Sequence, residues 1–452
     1  MNTRRSFLKK TTGAAAAFGF PSIIPSSVLG QNAPSNKITM AVFGWGMQGP
    51  GNTNAFMNEP DCHVLAACDL DQKHLDAAVK TINGKQGTND CKPYHDYREV
   101  MARKDIDAVM IAIPDNWHAL VSIEAAKNGK HIYGEKPLAR TIAEQQAIVK
   151  AVQKAGVVWQ TGSWQRSQSQ YRMAAELVRN GLIGKLQNVV VGLPSGHNDF
   201  AGTKDKNQVT PPPAELDYEM WIGPATMEDY IEARVHKNWR WNYNIGGGQL
   251  LDWIGHHCDI AHWGMDCDST GPVEMRPISS KFPPRTDMWN TATDYQAEST
   301  YANGVKMLIS NAHDDIKMGA KWVGTDGWVW VDRSGFDCSN PEWKETFNKR
   351  EKDGKVTQAG KPKKLGDDVI KTNLYDSPGH QRNFLDCIKS KMPTVTPVTT
   401  AHRSATPGHL ALISLMTNTT IKWDPEKEVI VGNDEAAKLL SRDYRGPWKL
   451  EA

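Results

Sequence analysis

Ile38-Thr39-Met40-Ala41-Val42-Phe43-Gly44-Trp45-Gly46-Met47-Gln48-Gly49 is the stretch that decides the fold of this 452-residue chain. Its first six residues form an apolar, partly β-branched run, the pattern of a buried strand. The run leads without a break into Gly-x-Gly-x-x-Gly. A helix is expected next, with Pro50 tolerated in its first turn. Gly44 permits a tight turn, Gly46 lets backbone approach a pyrophosphate, and Gly49 lets helix and strand pack closely. With Met47 between the glycines, N–H groups at the helix start are placed to hold phosphates.

A glycine triad alone is a weak signal, so the acid that should follow it matters. His63 to Cys68 reads as a second strand and ends at Asp69, which lies 69 − 49 = 20 residues beyond Gly49. A carboxylate there accepts from the adenosine ribose hydroxyls and repels a 2′-phosphate. NAD is therefore expected over NADP, although Lys73 lies close enough to keep NADP in view. The alternation continues with a helix over 96–104 and a strand over 107–113. That strand ends in Pro114-Asp115-Asn116-Trp117-His118, a loop at the carboxyl edge of the sheet, where ligands bind in such folds. Ile113, Pro114, Asn116 and His118 are assigned to the cofactor on that ground. A helix over 120–128, a strand over 130–133, a helix over 141–155 and a strand over 157–161 complete the pattern. Repeated strand–helix units imply a doubly wound parallel sheet, a Rossmann domain over 36–165.

The strand at 130–133 runs into Gly134-Glu135-Lys136-Pro137. Lys136 thus sits at the ligand-facing end, where an ammonium can hydrogen-bond a substrate hydroxyl beside the nicotinamide, with Glu135 next to it. Further along comes Gly246-Gly247-Gly248-Gln249-Leu250-Leu251-Asp252-Trp253-Ile254-Gly255-His256-His257-Cys258-Asp259. The glycine triad, Glu-Lys-Pro at a later strand end and Asp-x-x-x-His-x-x-Asp on a helix together resemble the glucose–fructose oxidoreductase / inositol dehydrogenase / rhizopine-catabolism family (Gfo/Idh/MocA). The resemblance spans most of the chain from about Asn36. It implies catalytic roles for Lys136, Asp252 and His256 and a cofactor-side role for Arg166. The segment Gln160-Thr161-Gly162-Ser163-Trp164-Gln165-Arg166 departs from the pattern of many relatives. Gln165 is placed on the substrate side.

Asp252, His256 and Asp259 are spaced i, i+4, i+7 and share one helix face. In alcohol oxidation a hydride leaves the carbinol carbon and the hydroxyl proton must leave with it. His256 is read as the general base, Lys136 as the donor to the developing oxyanion, and Asp252 as the group orienting substrate or imidazole. His257 must point about 100° away, a structural position. No metal is expected, because His257 and Cys258 face away from His256.

After Arg166 a helix (171–180) and a strand (186–192) are expected. Later strands are expected at 273–277, 297–301, 305–309, 322–324 and 327–331, forming an open, mainly antiparallel sheet in an α+β domain over 166–452. The resemblance implies that this sheet binds substrate and pairs subunits, giving a homo-oligomer. Residues 200–216 read as a long loop, a lid or oligomer arm, and Lys349 to Lys364 as a solvated excursion. Trp239 and Trp241, two of 16 tryptophans, are placed to wall a sugar site, where an indole can lie against C–H groups.

Residues 1–30 read as an address. Thr3-Arg4-Arg5-Ser6-Phe7-Leu8-Lys9 followed by a mild apolar stretch is a twin-arginine export signal. An exported enzyme of this type should hold its NAD tightly and regenerate it within each cycle. The net charge of +2 predicts neither nucleic acid nor an anionic membrane as partner. The seven cysteines include no Cys-x-x-Cys, which argues against a structural zinc or a disulfide framework. Three functions follow. One is a sugar or polyol oxidoreductase that passes hydride to a second substrate. Another is a redox-neutral glycoside hydrolase or lyase working through a transient keto-sugar. The last is a sugar-binding protein with a vestigial cofactor site.

Overall fold

The computed structural model describes residues 37–311, 315–348 and 369–451. The stretch read as an export signal and the expected excursion from Lys349 to Lys364 lie outside these residues. The strand at the head of the glycine motif, β1 (Ile38–Phe43), is the centre of the first sheet. It pairs in parallel with β2 (Cys62–Cys68) on one side and β4 (Ala108–Ile111) on the other. β3 (Lys92–Tyr94) extends the sheet beyond β2; β5 (His131–Gly134) and β6 (Trp159–Thr161) extend it beyond β4. The resulting order 3-2-1-4-5-6 reverses at β1/β4, so the switch point opens a crevice at the carboxyl ends of these two strands.

Helices α1 (Gly49–Met57), α2 (Gln72–Gln86), α3 (Tyr97–Ala102), α4 (His118–Lys127) and α5 (Ile142–Ala155) cross between the strands. Asp71 caps α2, its side chain accepting from the N–H groups of Lys73 and His74, and Thr141 with Glu144 forms a capping box on α5. The third helix is shorter than expected because Asp96 is its cap, accepting from the Arg98 N–H, and not its first residue.

α6 (Ser169–Arg179) leads into the second sheet. It has nine strands: β7 (Leu186–Leu193), β8 (Glu274–Lys281), β9 (Asp294–Thr300), β10 (Lys306–Asn311), β11 (Gly319–Gly324), β12 (Trp328–Val331), β13 (Phe336–Cys338), β14 (Ile421–Asp424) and β15 (Val429–Val431). All neighbours are antiparallel except β7 and β10. β8 runs four residues beyond its expected end at Pro277, because the proline sits at a register shift where its missing N–H costs no ladder bond. A short helix α7 (Tyr218–Ile222) precedes the long α8 (Gly248–Met265), which lies on this sheet with its apolar residues in the largest core cluster.

After α9 (Pro341–Asn348) the chain returns to the first sheet. Phe384 and Leu385 of α10 (His380–Ser390) and Val398 and Ala401 of α11 (Val398–Thr417) enter the two cores flanking that sheet. Thr394 and Thr396 donate to the carbonyls of Trp159 and Thr161 and so cover the β6 edge. A last short helix, α12 (Asp434–Lys438), follows β15. No helix among the described residues is long and apolar enough to cross a membrane.

Arg166, on the turn after β6, fixes α8 against the first domain. Its Nε and Nη2 donate to the Asp259 carboxylate at 2.7 and 3.0 Å, and its Nη1 and Nη2 donate to Asp268 at 2.8 and 2.7 Å. The guanidinium is buried, so removing it leaves the Asp259 carboxylate desolvated and unpaired. Arg166→Ala should lower the unfolding free energy by about 3–5 kcal/mol in urea titration, while any cofactor still bound to folded protein keeps its affinity.

Candidate functional site

One cavity of about 510 Å³ runs from the glycine turn to α8. Its cofactor end is built by steric exclusion. A Cβ at Gly44, where φ is +87°, would lie 2.2 Å from the Ala112 carbonyl oxygen, and one at Gly49 would lie 1.9 Å from that of Gly44. At Gly46, by contrast, a Cβ would meet nothing within 4 Å: the space beside it is open and the turn faces the cavity. No side chain caps α1, so its first N–H groups are left for a ligand. Asp69 lines the same end, its carboxylate accepting from the N–H groups of Trp45 at 2.7 Å and Asp71 at 3.0 Å. These features fit a dinucleotide: an open phosphate cradle with an acid at the ribose position. Met47, Ile113, Pro114 and Glu135 also line the cavity.

The end of the segment expected as a lid or arm is tied to the loop after β2. Leu216 bridges to Asp71, Gln72 donates its N–H to the Glu215 carbonyl, and Asp217 donates to that of Leu70. Lys73 is ion-paired with Glu215, which turns its charge away from the ribose position. Asp71, His74 and His236 place one ligand atom each within 4.8 Å of one another here, a spacing compatible with a cation.

At the other end stand the residues expected to be catalytic. The Lys136–Pro137 peptide is cis. The Lys136 ammonium donates to the Asp252 carbonyl at 2.8 Å and to its carboxylate at 3.0 Å. Arg240 donates through Nε to the same carboxylate oxygen at 3.0 Å. Burial would raise the Asp252 pKa, but the two cations outweigh it and hold the carboxyl at about 2. Gly255 makes room for the lysine, since a Cβ there would lie 2.8 Å from that of Lys136.

His256, one turn below Asp252, also faces the cavity, between the edges of Trp164 and Trp253 at 6.4 and 5.4 Å. Its Nδ1 is buried without a hydrogen-bond partner. Burial, reinforced by Lys136, Arg333 and His257, drives its pKa well below the ordinary histidine value, so the imidazole is neutral.

Of the residues expected in the site, Trp239 lines it, Gly49 stands behind the turn against Gly44, and five more do not line it. Asn116 donates from Nδ2 to the Ile222 carbonyl, away from the crevice. His118 bridges the carbonyls of Pro137 and Ile113 and so braces the Glu-Lys-Pro turn from behind. Gln165 donates to the Tyr171 hydroxyl, Arg166 is enclosed by two carboxylates, and Trp241 donates to the Asn198 carbonyl from inside the core. Each is a buried side chain with at least one donor group taken up by a protein acceptor, although Asn116 Oδ1 and Gln165 Oε1 are left without a partner. Asp259 likewise belongs to Arg166, and His257 is enclosed and stacked on Trp253.

Among the wall residues not assigned from the sequence are Asp115, Trp164 and Arg333, while Arg240 stands in the wall beside Trp239. Asp115 and Trp164 sit in segments already recognised as strand-end loops, so position offered a signal for them. Burial first, then the Asp252 charge, pushes the Asp115 carboxyl up to about 7 against the pull of Arg240, Lys136 and Arg140. The folded protein therefore binds a proton on Asp115 that the unfolded chain releases near pH 4, and stability falls as pH rises from about 4 to 7. In Asp115→Asn this decline should flatten, as read from urea midpoints across that range.

Comparison with known proteins agrees with this geometry. Residues 38–163 match the family model described as "Oxidoreductase family, NAD-binding Rossmann fold", and residues 168–450 the one described as "Oxidoreductase family, C-terminal alpha/beta domain". A glycosyl hydrolase family 109 protein of Shewanella pealeana is 30% identical over 205 residues, 40% of this chain and 44% of its own. One from another Shewanella strain is 33% identical over 167 residues, 35% of this chain and 36% of its own. The chain thus spans less than half the length of these curated relatives. Among solved structures, a levoglucosan dehydrogenase complexed with NADH and levoglucosan superposes with a TM-score of 0.60 at 17% identity, covering 85% of this chain and 99% of its own. Aldose-aldose oxidoreductase from Caulobacter crescentus does so at 0.58 and 17%, with the same two coverages. The WlbA dehydrogenase from Bordetella pertussis does so at 0.60 and 18%, covering 86% and 99%. At these identities the superpositions speak for the fold, whereas the two family models cover nearly all of the described chain: it belongs to the Gfo/Idh/MocA oxidoreductase family.

Proposed function

We propose that this protein holds NAD tightly and transfers hydride between it and a carbinol carbon of a sugar, glycoside or polyol. The observation that carries the reading is the placement of Lys136, Asp252 and His256 in the same cavity as the glycine cradle. When bound, the nicotinamide supplies a hydride acceptor at its C4. The chain's own groups manage the proton and the charge. His256 is neutral and takes the hydroxyl proton as the C–H bond breaks and the carbonyl forms. A buried imidazole gives its proton up readily, which makes it an effective acid when the carbonyl is reduced. Lys136 is fixed by Asp252 and directs its ammonium at the developing oxyanion. Asp69, with the Lys73 charge held by Glu215, favours NAD over a 2′-phosphorylated cofactor.

The second reading, a redox-neutral glycoside hydrolase or lyase, is favoured by Asp115. Elimination beside a transient ketone needs an additional proton acceptor, and a carboxyl titrating near 7 in the same wall meets that need. The relatives named as family 109 glycosyl hydrolases support it. Export through a twin-arginine signal belongs to both readings, because an enzyme outside the cytoplasm needs a cofactor that stays bound between turnovers.

In His256→Ala, hydride transfer in a single turnover should fall by about 10²–10⁴-fold while the cofactor stays bound; near-normal transfer would exclude the role. To separate the two reactions, cofactor-loaded protein is incubated with sugars and glycosides without added NAD. Reduced cofactor that persists until a second carbonyl compound is added identifies the oxidoreductase. Free sugar released from a glycoside without net reduction identifies the hydrolase.

A further inference from the structure

Arg333 stands on the turn between β12 and β13 and reaches the cavity wall beside His256. Its guanidinium lies over two indoles at once, 4.9 Å from the Trp164 ring centre and 4.5 Å from that of Trp253. These are the rings that flank His256. The arginine is therefore held against the catalytic imidazole by stacking, which leaves its N–H fork directed elsewhere. It forms no ion pair among the described residues.

The nearest acid in sequence does not neutralise it. Oδ1 of Asp332 accepts from the Ser334 N–H and hydroxyl, both at 2.6 Å, and from the Gly335 N–H at 3.1 Å, which locks the turn. At this end of the cavity Lys136 and Arg240 share one carboxylate, Asp252. Burial lowers the Arg333 pKa, and Tyr171, Asp252 and Asp332 offset this only in part, without a direct ion pair among the described residues. A planar five-donor fork in such a setting matches an oxyanion group on a ligand.

We propose that Arg333 makes this cavity specific for an anionic sugar, whose carboxylate or sulfate group pairs with the guanidinium beside His256. The proposal rests on reading the cavity as a sugar site. It adds the charge of the substrate and the residue that selects it.

The test is calorimetric titration of the cofactor-loaded enzyme with glucuronate, glucose 6-sulfate and glucose, for wild type, Arg333→Gln and Arg333→Lys. Wild type should bind at least one of the two anionic sugars about tenfold or more tightly than glucose. The better of the two names the anion. Arg333→Gln should abolish the preference without lowering the temperature of thermal unfolding, and Arg333→Lys should restore part of it. Equal affinity for all three sugars in wild type, or a preference that survives in Arg333→Gln, would overturn the proposal. Hydride transfer to the bound cofactor is followed separately. Anion-selective binding without any transfer leaves this assignment standing and removes the proposed reaction instead.

Discussion

The Asp252 carboxylate is the constraint on which the site depends. It sits on the helix that belongs to the second sheet, yet both cations it holds come from elsewhere, Lys136 from the end of β5 and Arg240 from the turn before α8. A buried carboxylate of this kind is tolerable only while both partners are present. The same contact that holds the lysine in place also joins the first sheet to the helix of the second. Arg166 repeats the device one face further round, tying the β6 turn to Asp259. α8 is thus fixed to the first domain by two ionic anchors, and His256 lies on the helix between them.

Strands, crossover helices and the glycine turn were legible because each is a local statement. Apolar runs ending in glycine can be read without knowing what packs on them, and the order of the first sheet follows from handedness. The second sheet was legible in kind but not in extent. Short strands such as β13 and β15 carry too few alternating residues to announce themselves, and β8 continues through a proline that only its bulge accommodates. The return of α10 and α11 to the first domain left no local trace, since an apolar helix face does not say which core it will enter.

Within the site, the residues read correctly as to place are those whose position is set by the end of a strand or one face of a helix: Lys136, Asp252 and His256. The displaced ones share a different property. Asn116, His118, Gln165 and Trp241 sit next to wall residues in sequence and Arg166 two beyond Trp164, but each has a protein acceptor close behind it. A polar side chain at a strand end points to ligand only if nothing nearer satisfies it. Asp115 obeys the same rule from the other side, since among the described residues its carboxyl finds only distant cations, remains in the wall, and titrates near 7.

The distribution of charge along the cavity supports one orientation for a dinucleotide. The adenosine end carries Asp69 and Asp71 and, through Glu215, a neutralised Lys73. The middle offers backbone N–H groups at the start of α1, which suit phosphates and need no side-chain cation. The far end carries Lys136, Arg240 and Arg333 beside the ionised Asp252. A ligand with hydroxyls at one end and phosphates in its middle meets complementary groups in that sequence, and the reverse orientation would bring ribose hydroxyls to the cations and turn its far end to Asp69. The contacts of residues 215–217 with Leu70, Asp71 and Gln72 fix the loop that carries Asp69 and Asp71, so the acids at the ribose end are held in place by a segment beyond the first sheet.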